Sequence, residues 1–152
     1  MKILIATDGS DYSRAAIEEF CRMFAGTENK EVKVIAVYEE VFPVAGEPFA
    51  ISAQYYQELE DDAKTQAEEF AAEAAEQIRG YFPQLKLATL VKKGSPEREI
   101  VETAQAWQAN LIVVGSHGRG FWGRMLVGST SDAVMHHAPC SVLVIRRKIE
   151  NS

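Results

Sequence analysis

The sequence predicts an α/β fold, a single domain built on an open parallel sheet with helices on both faces. Strand-like runs alternate with helical ones along the 152 residues, which is the pattern of βαβ units. The first, fourth and fifth strand-like runs are almost entirely apolar. Such runs are typical of parallel strands that are covered by helices on both faces.

Five strands are expected from these runs, because each is rich in the β-branched and aliphatic residues that fit a pleated, buried surface. They are placed at Lys2 to Thr7, Glu31 to Tyr38, Leu85 to Val91, Leu111 to Gly115 and Ser141 to Ile145. Four helices are expected between them, near Asp11 to Phe24, Ala53 to Gly80, Pro96 to Trp107 and Ser129 to His136.

The boundaries of these helices follow from capping residues. Ser10 is the predicted N-cap of the first helix, and Gly26 stands just beyond its end. Ser95-Pro96-Glu97 indicates an N-cap, a proline at the first helical position and an acid in the first turn. The second helix carries a long acidic face, which we interpret as solvated surface because such faces keep domains soluble.

One long irregular connection is expected between Glu39 and Ser52, which contains two prolines and a glycine without a clear period. Its apolar side chains favour a segment that caps the core. The alternative is a segment that lies over a binding site.

Composition excludes several classes of protein. The chain is 47% hydrophobic and 25% charged, which suits one domain with a substantial core. Its net charge of −6 argues against a nucleic-acid binder, which needs clustered Lys and Arg. With neither a signal peptide nor a membrane-spanning apolar run in view, we expect a cytoplasmic protein. Cys21 and Cys140 lack metal-ligand spacing and are expected to be buried thiols.

The segment from Gly115 to Thr130 is the strongest functional signal, because a glycine-rich loop leaves an apolar strand and enters a helix. The first N–H groups of a helix have no partner inside it, and the helix dipole favours negative charge there. Glycines allow the backbone to approach a ligand closely. Such a junction is suited to holding phosphate.

Two common nucleotide motifs fit this segment poorly. Gly118 to Gly123 matches G-x-G-x-x-G, but it comes too late in the chain for the first turn of a dinucleotide fold. Gly123 to Thr130 resembles a phosphate-binding P-loop, except that Ser129 stands where the lysine is required. Neither fold is therefore expected.

The spacing that remains is G-x2-G-x9-G-[ST], at Gly115, Gly118, Gly128 and Ser129. It resembles the nucleotide-binding motif of the ATP-binding branch of the universal stress protein family. The opening strand with Thr7-Asp8-Gly9-Ser10, and the closing strand Ser141 to Ile145, resemble the ends of that family's domain. The resemblance covers essentially the whole chain.

This resemblance implies a Rossmann-like domain over residues 1–148, followed by a short tail at 149–152. It also implies the strand order 3-2-1-4-5, so that the winding reverses between the first and fourth strands. Ligands of open α/β sheets bind at such a reversal, beyond the carboxyl ends of the strands. The family further implies a homodimer that pairs through Ser141 to Ile145, whose apolar edge would otherwise stay exposed.

The candidate binding residues come from the segments that meet at this reversal. Asp8 either caps nearby backbone N–H groups or contacts a ligand and its metal ion, and the residues alone favour neither role. The resemblance favours the ligand. It also implies that Ala6 and Thr7 line the floor, and that the backbone of Val37 meets the adenine edge.

The glycine loop supplies the remaining candidates. Val114 and Gly115 end the fourth strand, and main-chain N–H groups at Gly115, Gly118 and Gly128 would face ribose and phosphate. Hydroxyl donors would follow from the start of the last helix. The alternative is a tight turn before a capped helix. The donors are Ser129, Thr130 and Ser131, and Arg119 is either a cation near the distal phosphates or a solvated side chain.

The function implied by the resemblance is that of a stress-response switch or binding module that holds ATP, with Mg²⁺ or Mn²⁺ bound through the phosphates. No nucleophile paired with a base is evident in the sequence, and no protein metal motif is evident either. We therefore do not expect a turnover enzyme. The alternatives are a weak ATPase or nucleotide-processing hydrolase, and an interaction module that binds no nucleotide.

Overall fold

Five parallel strands and four helices alternate along the chain in a computed structural model, which describes residues 1–42, 52–117 and 127–146. The α/β prediction is confirmed, and every predicted element is present. In chain order they are β1 (Lys2–Thr7), α1 (Asp11–Met23), β2 (Glu31–Tyr38), α2 (Ala53–Tyr81), β3 (Lys86–Lys93), α3 (Pro96–Trp107), β4 (Leu111–Gly115), α4 (Ser129–His137) and β5 (Ser141–Ile145).

The sheet has the order β3-β2-β1-β4-β5, as the resemblance implied. Ile3 of β1 pairs with Val32 of β2 on one side and with Leu111 of β4 on the other. All four pairings are parallel. The chain therefore winds outward from β1 in two directions, and the carboxyl ends of β1 and β4 lie side by side at the reversal.

Alternation along the central strands divides the core into two layers. Ile3 and Ile5 face α1 and α2, where Phe20 is completely buried. Leu4 points to the opposite face, where it packs in one cluster with Ile100 of α3 and residues of α4. Because both faces of β1 are covered, the strand must be apolar at successive positions, as its sequence is.

The third strand differs from the prediction, which placed it at Leu85 to Val91. β3 runs from Lys86 to Lys93 because its pairing with β2 continues to the register Tyr38 with Lys93. The N–H of Leu85 instead donates to the carbonyl of Phe82 in the preceding turn. The lysine-rich end of β3 obscured the extent of the strand in the sequence, although lysines are common on exposed edge strands.

The helix boundaries agree with the prediction to within one residue at each end. Ser10 is the N-cap of α1 as expected, since its side chain accepts a hydrogen bond from the N–H of Ser13. Ser95 occupies the N-cap position of α3 without a side-chain capping bond, and Pro96 follows it at the start of the helix. α1 ends at Met23, one residue before the predicted end, while α2 and α4 each extend one residue further than predicted.

The cysteines do not form a disulfide. Cys21 is fully buried in the core, and burial raises the pKa of its thiol to about 11. Cys140 is partly buried, so it is more open to solvent than expected.

None of the helices in the described ranges is long and apolar enough to cross a bilayer. Most of the connection predicted between Glu39 and Ser52 lies outside the described residues.

Candidate functional site

A pocket of about 120 Å³ lies at the reversal of the sheet, where β1, β2 and β4 end beside the first turns of three helices. Its volume is below the ~300–1,000 Å³ that is typical of complete ligand sites. It therefore suits the buried part of a ligand whose remainder lies in the open rim. The described lining residues are Ala6, Thr7, Asp8, Ser13, Ile35, Val37, Pro96, Ile100, Val114, Gly115, His117, Thr130 and Ser131.

One wall of the pocket is apolar. Ile35 and Val37 share a face of β2, and they pack in one cluster with Ile100, which lies one turn after Pro96 on α3. This wall offers side-chain carbon alone, so it is suited to the flat face of a ring rather than to a charged group.

The turn from β1 to α1 forms a polar wall. A carboxylate oxygen of Asp8 accepts a hydrogen bond of 2.9 Å from the N–H of Ser10. Gly9 between them has φ of 71°, and a Cβ there would lie 2.3 Å from the ring of Phe70 on α2. Only glycine satisfies both conditions, because other residues are strained at positive φ and would also collide with that ring.

Two buried hydroxyls support this turn from below. The N–H of Gly9 donates to Thr7 Oγ1 over 3.3 Å, and Thr7 Oγ1 donates in turn to Ser13 Oγ over 3.2 Å. Ser13 Oγ then donates to the carbonyl of Ser10 over 2.9 Å. Thr7 and Ser13 thus connect the turn to the first turn of α1.

The end of β4 brings the glycine loop against α1. A Cβ on Gly115 would lie 3.0 Å from the carbonyl oxygen of Tyr12, so a larger residue would push α1 and β4 apart. The next residue, Ser116, is held through both its N–H and its carbonyl group. Its N–H donates to Ile145 O over 2.9 Å, and its carbonyl accepts from the N–H of Gly128 over 2.6 Å.

The start of α4 forms the opposite rim of the pocket. Gly128 is its N-cap and supplies no side-chain capping bond. Ser131 Oγ donates to the carbonyl of Gly115 over 2.5 Å, which ties the first turn of the helix to the end of β4. Thr130 and Ser131 line the pocket, so the positive end of the helix dipole faces it.

His117 follows this arrangement and also lines the pocket. Its Nδ1 is 2.9 Å from Ser116 Oγ, and its ring lies 5.1 Å from the ring of Tyr12 between centroids. The imidazole is therefore oriented from two sides. Ser116 is only 1% exposed, so its hydroxyl is inaccessible to a ligand.

Most of the sequence-predicted site residues come together in this pocket. Gly128 and Ser129 are not among the lining residues, but they begin the helix that forms the rim. Gly118 and Arg119 lie outside the described residues. The predicted residues that line the pocket are Ala6, Thr7, Asp8, Val37, Val114, Gly115, Thr130 and Ser131.

Five lining residues were not among the predicted binding residues, and one of them, His117, lies within the segment from Gly115 to Thr130 that the sequence singled out. Ile35 lies two positions before Val37, so strand alternation places it on the same face and was a usable signal. Pro96 and Ile100 are four apart at the start of α3, a spacing that shares one helix face. Ser13 gave no local signal beyond its distance of three residues from the N-cap.

Comparison with known proteins agrees with this architecture. The sequence profile of the universal stress protein family matches residues 1–146. The chain belongs to the universal stress protein family. Universal stress protein MJ0531 of Methanocaldococcus jannaschii is 33% identical over 147 residues, covering 96% of this chain and 82% of that protein. A universal stress protein of Thermus aquaticus is 33% identical over 144 residues, covering 95% of this chain and 97% of the relative.

Solved structures of the family share the fold. UspA from Lactobacillus plantarum superposes with a TM-score of 0.75 at 28% identity, covering 96% of this chain and 97% of its own. A family member from Arabidopsis thaliana was solved with AMP bound, with a TM-score of 0.69 at 17% identity over 99% of this chain and 94% of that one. One from Archaeoglobus fulgidus was solved with dAMP, with a TM-score of 0.63 at 20% identity over 95% and 97%.

Proposed function

We propose that this universal stress protein binds an adenine nucleotide, ATP with Mg²⁺ or Mn²⁺ carried by its phosphates, and acts as a nucleotide-dependent switch or binding module. One observation carries the proposal. The pocket at the sheet reversal combines the apolar wall with a helix start that has no side-chain cap. A nucleotide has matching halves, a flat base and an anionic tail.

The base is proposed to lie against the apolar wall of the pocket. Val37 and Ile100 of α3 would contact the ring, and the backbone of Val37 would meet the polar edge of the base, as the family resemblance implies. The volume of about 120 Å³ suits a ring rather than a whole nucleotide. Ribose and phosphates would then continue along the rim.

The phosphates are proposed to lie at the start of α4. The unpaired N–H groups of a first helical turn and the helix dipole both favour an anion. Gly128 provides an N-cap without a side chain that could compete for those N–H groups. Thr130 lies on the same rim, and its hydroxyl would add a donor.

The metal ion is proposed to be bound chiefly by the phosphates rather than by the protein. In the described ranges, no three His, Cys, Asp or Glu side chains are grouped closely enough to hold a metal ion. Asp8 is the carboxylate that lines the pocket, and oxygen ligands of this kind suit Mg²⁺ bound chiefly to phosphate. The ion would supply neutralisation of phosphate charge.

Holding rather than turnover is proposed because Ser116 and His117, a hydroxyl beside an imidazole, do not form an accessible nucleophile and base. Ser116 Oγ and His117 Nδ1 are 2.9 Å apart, which is the distance expected of such a pair. However, the 1% exposure of Ser116 keeps substrate atoms from its oxygen. Family structures solved with AMP and dAMP support a nucleotide in this fold.

A titration of nucleotide-free protein tests the proposal. Calorimetry with ATP and Mg²⁺ is expected to show saturable binding at one site per chain. Adenosine and inorganic triphosphate are the matched controls, because each supplies one half of the ligand, and each should bind at least tenfold more weakly. The proposal is wrong if ATP gives no saturable heat and no nucleotide accompanies the protein during purification.

We further propose that two copies pair through β5. Its central residues are uncharged and only partly buried, whereas the opposite edge strand, β3, carries Lys86, Lys92 and Lys93. Lysines protect an edge from pairing and uncharged edges invite it. Val142→Lys should therefore convert a dimer to a monomer of 16.9 kDa in light scattering, while Thr89→Lys on β3 should leave the mass unchanged. A monomeric wild-type protein at micromolar concentration would contradict pairing.

A further inference from the structure

The two hydroxyls below the β1–α1 turn form a chain whose direction is fixed by its ends. The chain begins at the N–H of Gly9, which can only donate, and it ends at the carbonyl of Ser10, which can only accept. Thr7 Oγ1 and Ser13 Oγ lie between these groups at hydrogen-bond distance. Each hydroxyl must therefore accept from the preceding member and donate to the following one.

This direction commits both hydroxyl hydrogens inside the protein. A hydroxyl has one hydrogen and two lone pairs, so Thr7 and Ser13 each retain one lone pair and no free hydrogen. Both residues line the pocket. The wall that they form can accept a hydrogen bond from a ligand but cannot donate one.

Ser13 also holds Ser10 at two points. Its N–H donates to Ser10 Oγ over 3.2 Å, and its hydroxyl donates to Ser10 O over 2.9 Å. The N–H of Ser10 in turn donates to the carboxylate of Asp8. Ser13 is 4% exposed and Thr7 7% exposed, so solvent does not readily replace either hydroxyl in this arrangement.

We propose that Ser13 is a positioning residue of the nucleotide site, which acts through Thr7 and Ser10 to orient the carboxylate of Asp8. The proposal rests on the proposed nucleotide binding and adds a rule for the ligand's orientation. The part of the ligand that meets Thr7 and Ser13 carries a donor, such as a ribose hydroxyl or an exocyclic amine. A phosphate oxygen only accepts, so it is directed away from this wall toward α4.

The test compares ATP dissociation constants of folded variants. Ser13→Ala and Thr7→Val each break the chain and should weaken ATP binding about tenfold, the scale of one hydrogen bond to a polar group. Because either change breaks the same chain, the double variant should also be weakened about tenfold rather than a hundredfold. Thr7→Ser keeps the hydroxyl and should bind within about twofold of wild type.

Thr103→Val is the matched control, since Thr103 is a buried threonine of α3 that does not line the pocket. It should leave the dissociation constant within about twofold of wild type, whatever its effect on stability. Wild-type affinity in both Ser13→Ala and Thr7→Val, or effects that multiply in the double variant, would overturn the role of Ser13 and leave nucleotide binding intact.

A second measurement reads the same role without nucleotide. The amide hydrogen of Ser10 should exchange at least tenfold faster in Ser13→Ala than in wild type, because the turn that holds it against Asp8 loses its support. Unchanged exchange at Ser10 would overturn the positioning role. Failure of wild type to bind ATP would instead remove the proposed function, so the two failures are distinguishable.

Discussion

The two helices that begin at the pocket, α1 and α4, start in different ways. At α1 the chain supplies its own capping groups, because Ser10 Oγ accepts from the N–H of Ser13, and Asp8 accepts from the N–H of Ser10. At α4 the N-cap is Gly128, which has no side chain to offer. The two helix starts at this pocket therefore differ in whether a side chain of the protein already accepts from their N–H groups.

This difference divides the site by function. On the α1 side, the N–H groups of Ser10 and Ser13 are already bonded to side chains of the protein, so this side contributes shape and accepting oxygens. The α4 side retains the favourable field of a helix N-terminus, so it is suited to an anion. Under the proposed function, the start of α1 would serve as a fixed wall and the start of α4 as the phosphate-binding side.

The largest effect is expected from Gly115→Val, which should disrupt both the α1 side and the α4 side of the pocket. A Cβ at this position would already lie 3.0 Å from the carbonyl oxygen of Tyr12, and backbone cannot move as readily as a side-chain end. We expect a loss of about 1–3 kcal/mol in unfolding free energy, which is typical of overpacking. ATP binding should fall below detection in calorimetry. A variant with wild-type stability and affinity would show that the close approach is unimportant.

Gly128→Asp should make the start of α4 resemble that of α1. Its carboxylate would cap the helix and place a negative charge where phosphate is proposed to lie. Replacing an N-cap glycine changes stability by only a few tenths of a kcal/mol, while like-charge repulsion should weaken ATP binding more than tenfold.

Gly128→Asn is the control for that change, since it has the same shape and no charge. It should cap the helix as well as aspartate does and bind ATP more tightly than the Asp variant. Equal affinities in the two variants would argue against phosphate at this helix start.

Ser10→Ala should affect stability more than binding. Loss of an N-cap costs about 1 kcal/mol, which corresponds to a fall of about 2–4 °C in Tm for a domain of this size. Ser95→Ala is the matched control, because Ser95 is an N-cap without a side-chain bond and its loss should lower Tm by less than half as much. Calorimetric melting measures both. Equal shifts would mean that the Ser10 bond does not matter.

The smallest effect concerns the ion pair that ties α1 to α2. The Arg14 guanidinium, hydrogen-bonded to Glu73 at 2.7 Å, lowers the pKa of that carboxyl below its ordinary value of 4.5. A lowered carboxyl pKa stabilises the fold above about pH 4.5, and this contribution disappears as pH falls through the folded-state pKa. Wild type should therefore exceed Glu73→Gln slightly in urea stability at pH 7. This difference should shrink as the pH falls below 4.5, and a difference that stays unchanged in acid would contradict the ion pair's role.

Sequence reasoning was most successful where a pattern was local. Apolar runs located β1 and β4, and capping chemistry located Ser10 and Pro96. The third strand was misplaced by two residues at its end because its extent depends on pairing between Tyr38 and Lys93, which are distant in sequence. Pairing of this kind is a tertiary property that propensity alone does not contain.

The candidate site shows the same division. Its two motif-bearing turns were predicted from their residues and from the family resemblance. The hydroxyls of Thr130 and Ser131 looked equivalent in sequence. In the structure, Ser131 Oγ donates to the carbonyl of Gly115, so its hydrogen is committed to the protein. Ser13 was missed because its role depends on a hydroxyl from another element, and no spacing reports that contact.

The unequal edges of the sheet have a consequence for assembly size. The edge at β5 can pair with the strand of another copy, whereas the lysines of β3 disfavour pairing at the other edge of the sheet. If β5 is used, growth stops when two sheets have joined, since both outer boundaries are then lysine-bearing. The charge on β3 would then make the product a closed pair rather than a fibre.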